Sequence, residues 1–282
     1  MSLQKISLSL AFIESRPEVA ARLLEQHNPE EIATFIEEIP HTYTIPLLKY
    51  ALPSRSARWL AALSVENSTG LLSRLPVTQC VANLRFFSKT QRKNILQKMP
   101  TGMQVSCKLL LSYSEDMVGA WMSPYVLTIP HDVTGVEALN YIKSENNPPS
   151  GIAYVIDRNR QLQGQILITQ LLATDSNIPV DSLMTPSPRP LNSRSLVRQA
   201  LERSEWGRHE ALPVVNKSQQ LIGVLRHLDL RRSLEVDISA PVNLPNPSSS
   251  SPPFTGLIKV YMHSLNTLGQ ILKNCIKTDL RS

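Results

Sequence analysis

Between residues 28 and 112 the apolar positions come in short bursts, each opened by an apolar residue followed by Pro or Ser: Ile39-Pro40, Leu52-Pro53, Leu63-Ser64, Leu75-Pro76, Phe87-Ser88 and Met99-Pro100. The spacing is about 12 residues. Proline and serine favour the first turn of a helix, and within each burst the apolar residues fall at helical intervals, as in Ala57, Leu60, Ala61 and Leu63 or Val81, Leu84 and Phe87. The pattern predicts a run of short helices joined by tight turns. A two-turn helix cannot bury its apolar stripe alone and is marginal in water, so these units are expected to stack into a superhelical bundle.

After Tyr113 the period changes. Twice the chain presents a Met-x-Pro turn, an amphipathic helix, an apolar strand, a polar turn, a strand containing Gly, and a second helix. The first copy runs from Met122-Ser-Pro124 through a helix over 133–143, a strand over 152–156, the turn 157–161, a strand over 164–168 and a helix over 170–173. The second runs from Met184-Thr-Pro186 through 196–205, 211–215, 216–220, 221–225 and 228–234. Met122 and Met184 stand 62 positions apart, the length of a β-α-β-β-α module, so the chain carries an internal duplication. The Pro/Ser-rich run 239–253 cannot bury a core and reads as a linker. Beyond it Leu257, Tyr261, Leu265, Leu268, Leu272 and Ile276 fall on one side of a basic amphipathic helix, whose apolar stripe is expected to dock on this chain's own surface, on a transporter partner or on a membrane.

Composition narrows the possible functions. At 42% hydrophobic and 18% charged, 282 residues suffice for two globular domains, and no apolar run reaches the roughly 18 residues of a membrane span. The weakly apolar start, residues 1–13, lacks a convincing cleavage site, so a cytoplasmic protein is expected, with contact at the inner membrane left open. Cys80, Cys107 and Cys275 have neither disulfide nor zinc spacing. No nucleophile elbow, His-Glu-x-x-His or phosphate-binding glycine loop occurs, the six histidines are scattered, and the expectation is a protein without catalytic activity. Trp59, Trp121 and Trp206 read as packing residues. Residues 53–114 hold nine basic side chains against the single Glu66, a local charge of +8 that marks either a surface for nucleic acid, anionic lipid or an acidic protein, or a solvated face. The pair Glu115-Asp116 either meets a cation or favours the N-terminus of the helix that follows.

The run Tyr113-Ser-Glu-Asp-Met-Val-Gly-Ala-Trp-Met-Ser-Pro124 resembles the junction of MgtE magnesium transporters, where a helical domain meets the first CBS (cystathionine β-synthase) motif. Ile178-Pro-Val-Asp-Ser-Leu-Met-Thr-Pro186 and Ala211–Leu225 are similar to the family's second CBS motif. The resemblance spans about residues 20–236. It implies a fold of α plus α/β class, an α-superhelical bundle followed by a tandem CBS pair, divided as a helical domain 1–116, CBS modules 117–178 and 179–236, a linker 237–253 and a terminal helix 254–282. It also implies a homodimer formed through the CBS modules and control of a magnesium pore, with a separate pore subunit among the candidate partners.

Departures from the family pattern reshape that expectation. Nucleotide-binding CBS modules carry Gly-h-h-Ser/Thr-x-x-Asp, with the hydroxyl on phosphate and the carboxylate on ribose. The first copy reads Gly164-Gln-Ile-Leu167-Ile-Thr-Gln170 and has neither group in place; the second, Gly223-Val-Leu-Arg226-His-Leu-Asp229, keeps Asp229 and offers Arg226 to phosphate. ATP or AMP is therefore expected, if at all, at Gly223, Arg226 and Asp229, with an N-terminal helix cap as the blander role for Asp229. The family's acidic Mg²⁺-binding segments correspond here to Ser88–Ile95 and Leu228–Glu235, where Lys89, Arg92, Lys93, Arg231 and Arg232 stand, so a Mg²⁺-driven clamp is not expected. The leading expectation is a regulatory adaptor of the magnesium-transport type. The alternative is a nucleic-acid or membrane-surface module using the basic segment 53–114 or the terminal helix.

Overall fold

The computed structural model describes residues 10–144, 151–173 and 177–231, which fall into two compact units divided after Pro100. The N-terminal unit is built of α1 (Pro17–Leu24), α2 (Pro29–Glu38), α3 (His41–Tyr50), α4 (Pro53–Ala61), α5 (Val65–Leu72), α6 (Val77–Leu84) and α7 (Lys89–Lys98). Their starts follow the sequence signal. Pro29 and Pro53 occupy the first turn, where a missing N–H costs nothing, and Asn28, Ser64 and Ser88 accept hydrogen bonds from the N–H groups of Glu30, Asn67 and Gln91. Ser88 and Gln91 complete a reciprocal capping box.

Each helix packs against the next but one: α1 on α3, α2 on α4, α3 on α5, α4 on α6 and α5 on α7. That alternation is the superhelical stacking the 12-residue repeat predicts. Leu47, Trp59, Leu60, Leu72, Leu84 and Ile95 are fully buried along it. One polar contact threads the core, where the Ser56 hydroxyl of α4 donates to Asn83 Oδ1 of α6 at 2.7 Å and Asn83 Nδ2 donates to the Gln79 carbonyl at 2.9 Å. A buried pair satisfied in this way is tolerated, and it fixes the register of α4 against α6.

Among the nine cations of the basic segment, Arg92 and Lys98 have clear structural roles in this unit. Arg92 reaches back from α7 and donates to the carbonyls of Leu84, Arg85 and Phe87 at 2.8, 2.9 and 3.2 Å, covering the C-terminal end of α6. Lys98 pairs with Glu66.

The second unit opens with α8 (Thr101–Leu111) and a 3₁₀ turn, Val118–Ala120, followed by the two modules. The first has β1 (Thr128–Pro130), α9 (Gly135–Ser144), β2 (Ile152–Ile156), β3 (Leu162–Leu167) and α10 (Ile168–Ala173). The second has α11 (Val180–Leu183), β4 (Leu191–Asn192), α12 (Val197–Leu201), a 3₁₀ turn at Ser204–Gly207, β5 (Ala211–Val215) and β6 (Leu221–Arg226). Each sheet has one parallel and one antiparallel pairing, in the orders β1-β2-β3 and β4-β5-β6. The helix expected over 196–205 ends at Leu201, and the 3₁₀ turn that replaces its last part is held by Arg203, which pairs with both carboxylate oxygens of Glu205 and donates to the Arg189 carbonyl.

The two copies are interlocked. Ser123, from the arm that leads into the first module, exchanges backbone hydrogen bonds with Val224 of β6 at 2.7 and 2.9 Å; Thr185, from the arm that leads into the second, does the same with Gln165 of β3 at 2.8 and 2.9 Å. The bridges Met117–Leu196 and Thr134–Pro179 are a second such equivalent pair. The polar turns are also twins: Asp157 and Asn216 each accept two backbone N–H groups through one side-chain oxygen, and Arg160 and Gln219 take left-handed φ values of 63° and 60°. The turns meet where Gln161 bridges Gln220, two equivalent positions, which marks the pseudo-two-fold axis.

Ala153 and Val155 point from β2 into the first module's own core with Ile129, Ala138, Ile166 and Leu171. The alternate residues, Tyr154 and Ile156, face the other way and pack on Leu221 and Val224 of the second sheet.

Candidate functional site

Strand alternation leaves an opening beside that shared apolar layer. A cleft of about 950 Å³ is walled by Ile152 and Tyr154 from β2 and by Trp206, Arg208, Glu210, Ala211, Val224, Arg226 and His227 from the second module. Tyr154 is 3% exposed and Val224 8%, whereas Arg208, Glu210 and Arg226 are exposed. The cleft therefore grades from an apolar floor to a charged rim.

Its aromatic wall is fixed from behind. Trp206 Nε1 donates to the Ala200 carbonyl at 2.6 Å, and the indole stacks on the His227 imidazole with centroids 5.0 Å apart and planes 19° from parallel. The 3₁₀ turn that carries Trp206 is held by the Arg203–Glu205 pair, and that hydrogen bond pulls the Glu205 carboxyl down to about 2. His227 is tied in turn by its backbone N–H, which donates to the Glu210 carbonyl at 2.8 Å.

Of the sequence-predicted nucleotide residues, Arg226 lies in the cleft wall at the end of β6. Asp229 follows on the helical turn 227–231, half-buried and three residues beyond Arg226, outside the residues that line the cleft. Gly223 has a steric duty: a Cβ there would lie 2.6 Å from the Ser123 carbonyl oxygen and 3.0 Å from Met122 Sδ. Its counterpart Gly164 would meet Met184 Sδ and the Thr185 carbonyl, both at 2.9 Å. In the first copy the position of Arg226 is held by Leu167, since Ile152 pairs with Leu167 as Ala211 pairs with Arg226.

The carboxylates of Glu115 and Asp116 are exposed, while their carbonyls accept from Trp121 Nε1 at 2.7 Å and from the Val197 N–H at 2.8 Å, so the backbone of this pair pins the junction to the second module. Among the described residues no group of three His, Cys, Asp or Glu side chains is placed to hold a metal ion. Leu257, Tyr261, Leu265, Leu268, Leu272 and Ile276, like the linker and Arg232, lie outside the described residues.

Trp206, His227, Arg208 and Tyr154 were not singled out by the sequence as site residues. Aligning the copies marks only Arg226, which stands where the first copy has Leu167; the other wall residues come together only in the folded modules.

Residues 15–116 match the MgtE intracellular N domain family, and residues 180–236 match the CBS domain family. The chain joins an MgtE intracellular N domain to CBS modules. The magnesium transporter MgtE of Bacillus subtilis (strain 168) is 22% identical over 220 residues; the aligned part covers 72% of this chain and 48% of that protein, about half its length. The soluble part of a magnesium transporter, a crystal structure, superposes with a TM-score of 0.60 at 18% identity, covering 84% of this chain and 99% of that one. The cytosolic domain of the Mg²⁺ channel MgtE in complex with ATP gives 0.56 at 18% identity, over 82% and 99%. The MgtE-like fold is thus established for both units, and among the described residues no helix is long and apolar enough to cross a membrane.

Proposed function

We propose that this chain is a cytoplasmic, non-catalytic regulatory protein of the magnesium-transport type, which binds an adenosine nucleotide in the second-module cleft and acts by contact with a membrane pore. The observation that carries the reading is the cleft: an aromatic wall and two rim guanidiniums stand at the end of β6, in a chain that pairs an MgtE intracellular N domain with CBS modules. The MgtE cytosolic domain with the same fold was solved with ATP, which supports the same ligand class here. Arg226 faces phosphate and Asp229 accepts from the ribose hydroxyls. A charge-assisted ribose contact contributes roughly 1.5–3 kcal/mol, so Asp229→Ala weakens AMP or ATP binding by about tenfold or more. Titration calorimetry on the full chain is the test, and an unchanged affinity in the variant removes Asp229 from the site.

We propose in addition that the chain self-associates through its modules. Val136 and Tyr141 of α9 and Leu172 of α10 are large apolar side chains left exposed at 38, 48 and 65%. A second copy of the CBS pair covers them in a two-fold dimer. Sedimentation at about ten micromolar, an ordinary concentration for a specific dimer, is expected to show two chains per particle, and a monomer there counts against the interface.

A further inference from the structure

The N-terminal unit separates its charge along the stack of helices. Residues 10–52 hold seven acidic side chains against Arg16, Arg22 and Lys49, whereas residues 53–100 hold eight basic side chains against Glu66. Because each helix packs on the next but one, order in the sequence is also order in space. Exposed carboxylates such as Glu18 of α1 and Glu30 of α2 therefore mark one end, and the exposed Lys89 and Lys93 of α7 mark the other. Among the described residues neither lysine is held in an ion pair.

The helices give up stability to place these cations. In α1, α2 and α5 the first turn carries Glu18, Glu30 with Glu31, and Glu66, where a carboxylate meets the positive end of the helix dipole. In α4 and α7 the first turn has no acidic residue and carries Arg55 and Lys89 instead, at the end where a cation is unfavourable. A merely solvated face needs no such placement. Beside Lys89, at the corner between α6 and α7, Phe86 is left 50% exposed, while the Arg92 guanidinium clamps the carbonyls of Arg85 and Phe87 on either side of it. The corner is thus a basic knuckle with an apolar tip.

We infer that the basic end of this unit, α7 with the corner before it, is a docking surface for an anionic phospholipid membrane, with Lys89 and Lys93 on the head groups and Phe86 inserted between them. A negatively charged lipid surface complements these cations, each adding about fivefold in partitioning. The segregation of charge favours a lipid plane over a nucleic acid. A plane meets one end of the stack, whereas a duplex that follows the stack runs onto the acidic helices α1 and α2. An exposed apolar side chain at the tip adds affinity for the bilayer interface. This surface is independent of the nucleotide reading, and it would hold a protein that acts on a membrane pore close to its target.

Co-sedimentation of the full chain with vesicles is the test, with phosphatidylcholine alone and with phosphatidylcholine mixed with phosphatidylglycerol. Binding is expected to the mixed vesicles only, and to fall by about tenfold or more as salt rises from about 0.1 to about 0.5 M and shortens the Debye length. Lys89→Gln together with Lys93→Gln is expected to weaken it about 30-fold, and Phe86→Ser about fivefold. The double variant is expected to unfold at the same urea concentration or higher, since it removes a cation from the N-terminus of α7, so that lost binding does not report lost fold. Lys89→Arg with Lys93→Arg is expected to bind as the unaltered chain does. Binding that survives in the double glutamine variant, as it would if residues 254–282 supplied it, overturns the assignment. So does an unaltered chain that ignores mixed vesicles, and one that shifts duplex DNA while ignoring them carries a nucleic-acid surface instead. Neither result touches the nucleotide reading, which calorimetry tests separately.

Discussion

Arg92→Ala will destabilise the N-terminal unit by about 3 kcal/mol, a large effect for one residue in a segment whose charge suggests an exposed surface. The guanidinium makes three hydrogen bonds to carbonyls at and beyond the end of α6, at 2.8, 2.9 and 3.2 Å. A helix C-terminus leaves carbonyls without partners inside the helix, and a cation there also opposes the negative end of the helix dipole. Truncation removes the donors and leaves half-buried oxygens to recruit water where Leu84 and Phe87 are packed. Arg92→Lys recovers only part of the loss, because a single ammonium does not reproduce the planar fork. Denaturant unfolding of the full chain, followed by helical circular dichroism, gives the measurement. A change below about 0.5 kcal/mol would return Arg92 to the class of ordinary surface charges.

Gly223→Ala should loosen both CBS modules together, at a cost of about 2–3 kcal/mol. The new methyl carbon would lie 2.6 Å from the Ser123 carbonyl oxygen, a backbone atom that can withdraw only if the arm leaves β6. Withdrawal breaks both Ser123–Val224 hydrogen bonds and shifts Met122, which is fully buried. Gly164→Ala is the equivalent lesion at the other end of the pseudo-two-fold, against the Thr185 carbonyl and Met184. Gly70 provides the control. It is exposed inside α5 with nothing within 4 Å of an added Cβ, so Gly70→Ala should stabilise by about 0.5–1 kcal/mol. If Gly223→Ala and Gly70→Ala unfold alike in urea, the close approach of the arm is not what glycine is needed for.

The helical unit was legible because its punctuation is chemical. Pro29, Pro53, Ser64 and Ser88 sit at or just before the starts of their helices, and the apolar residues between them have no other period. The strands Ile152–Ile156 and Ala211–Val215 were read with the observed bounds, because short β-branched runs flanked by turn residues leave few alternatives. The helix over 196–205 was read too long, since the pattern does not show that Arg203 clasps Glu205 and tightens the chain there. The crossed arms were also out of reach. Met-Ser-Pro and Met-Thr-Pro mark turns, but neither says that its arm pairs with the other copy's strand. For the same reason Gly223 was read through a ligand motif, and its contact with Ser123 appears only when the copies are seen together. Of the cleft, Arg226 could be picked out from one copy's sequence, whereas Trp206, His227 and Tyr154 converge only through the pairing of the modules.

The exchange of arms gives the first copy a reason to persist apart from any ligand of its own. With Leu167 standing where the second copy has Arg226, its own half has lost the side chain best suited to an anion. Yet the arm that precedes it closes β6, and its Tyr154 forms part of the second cleft's floor. A gene fragment encoding only the second module would therefore yield a sheet with an open edge and a binding site without its base. The duplication has become a division of labour, in which one copy can drift in its ligand chemistry provided that it goes on serving as the other's scaffold.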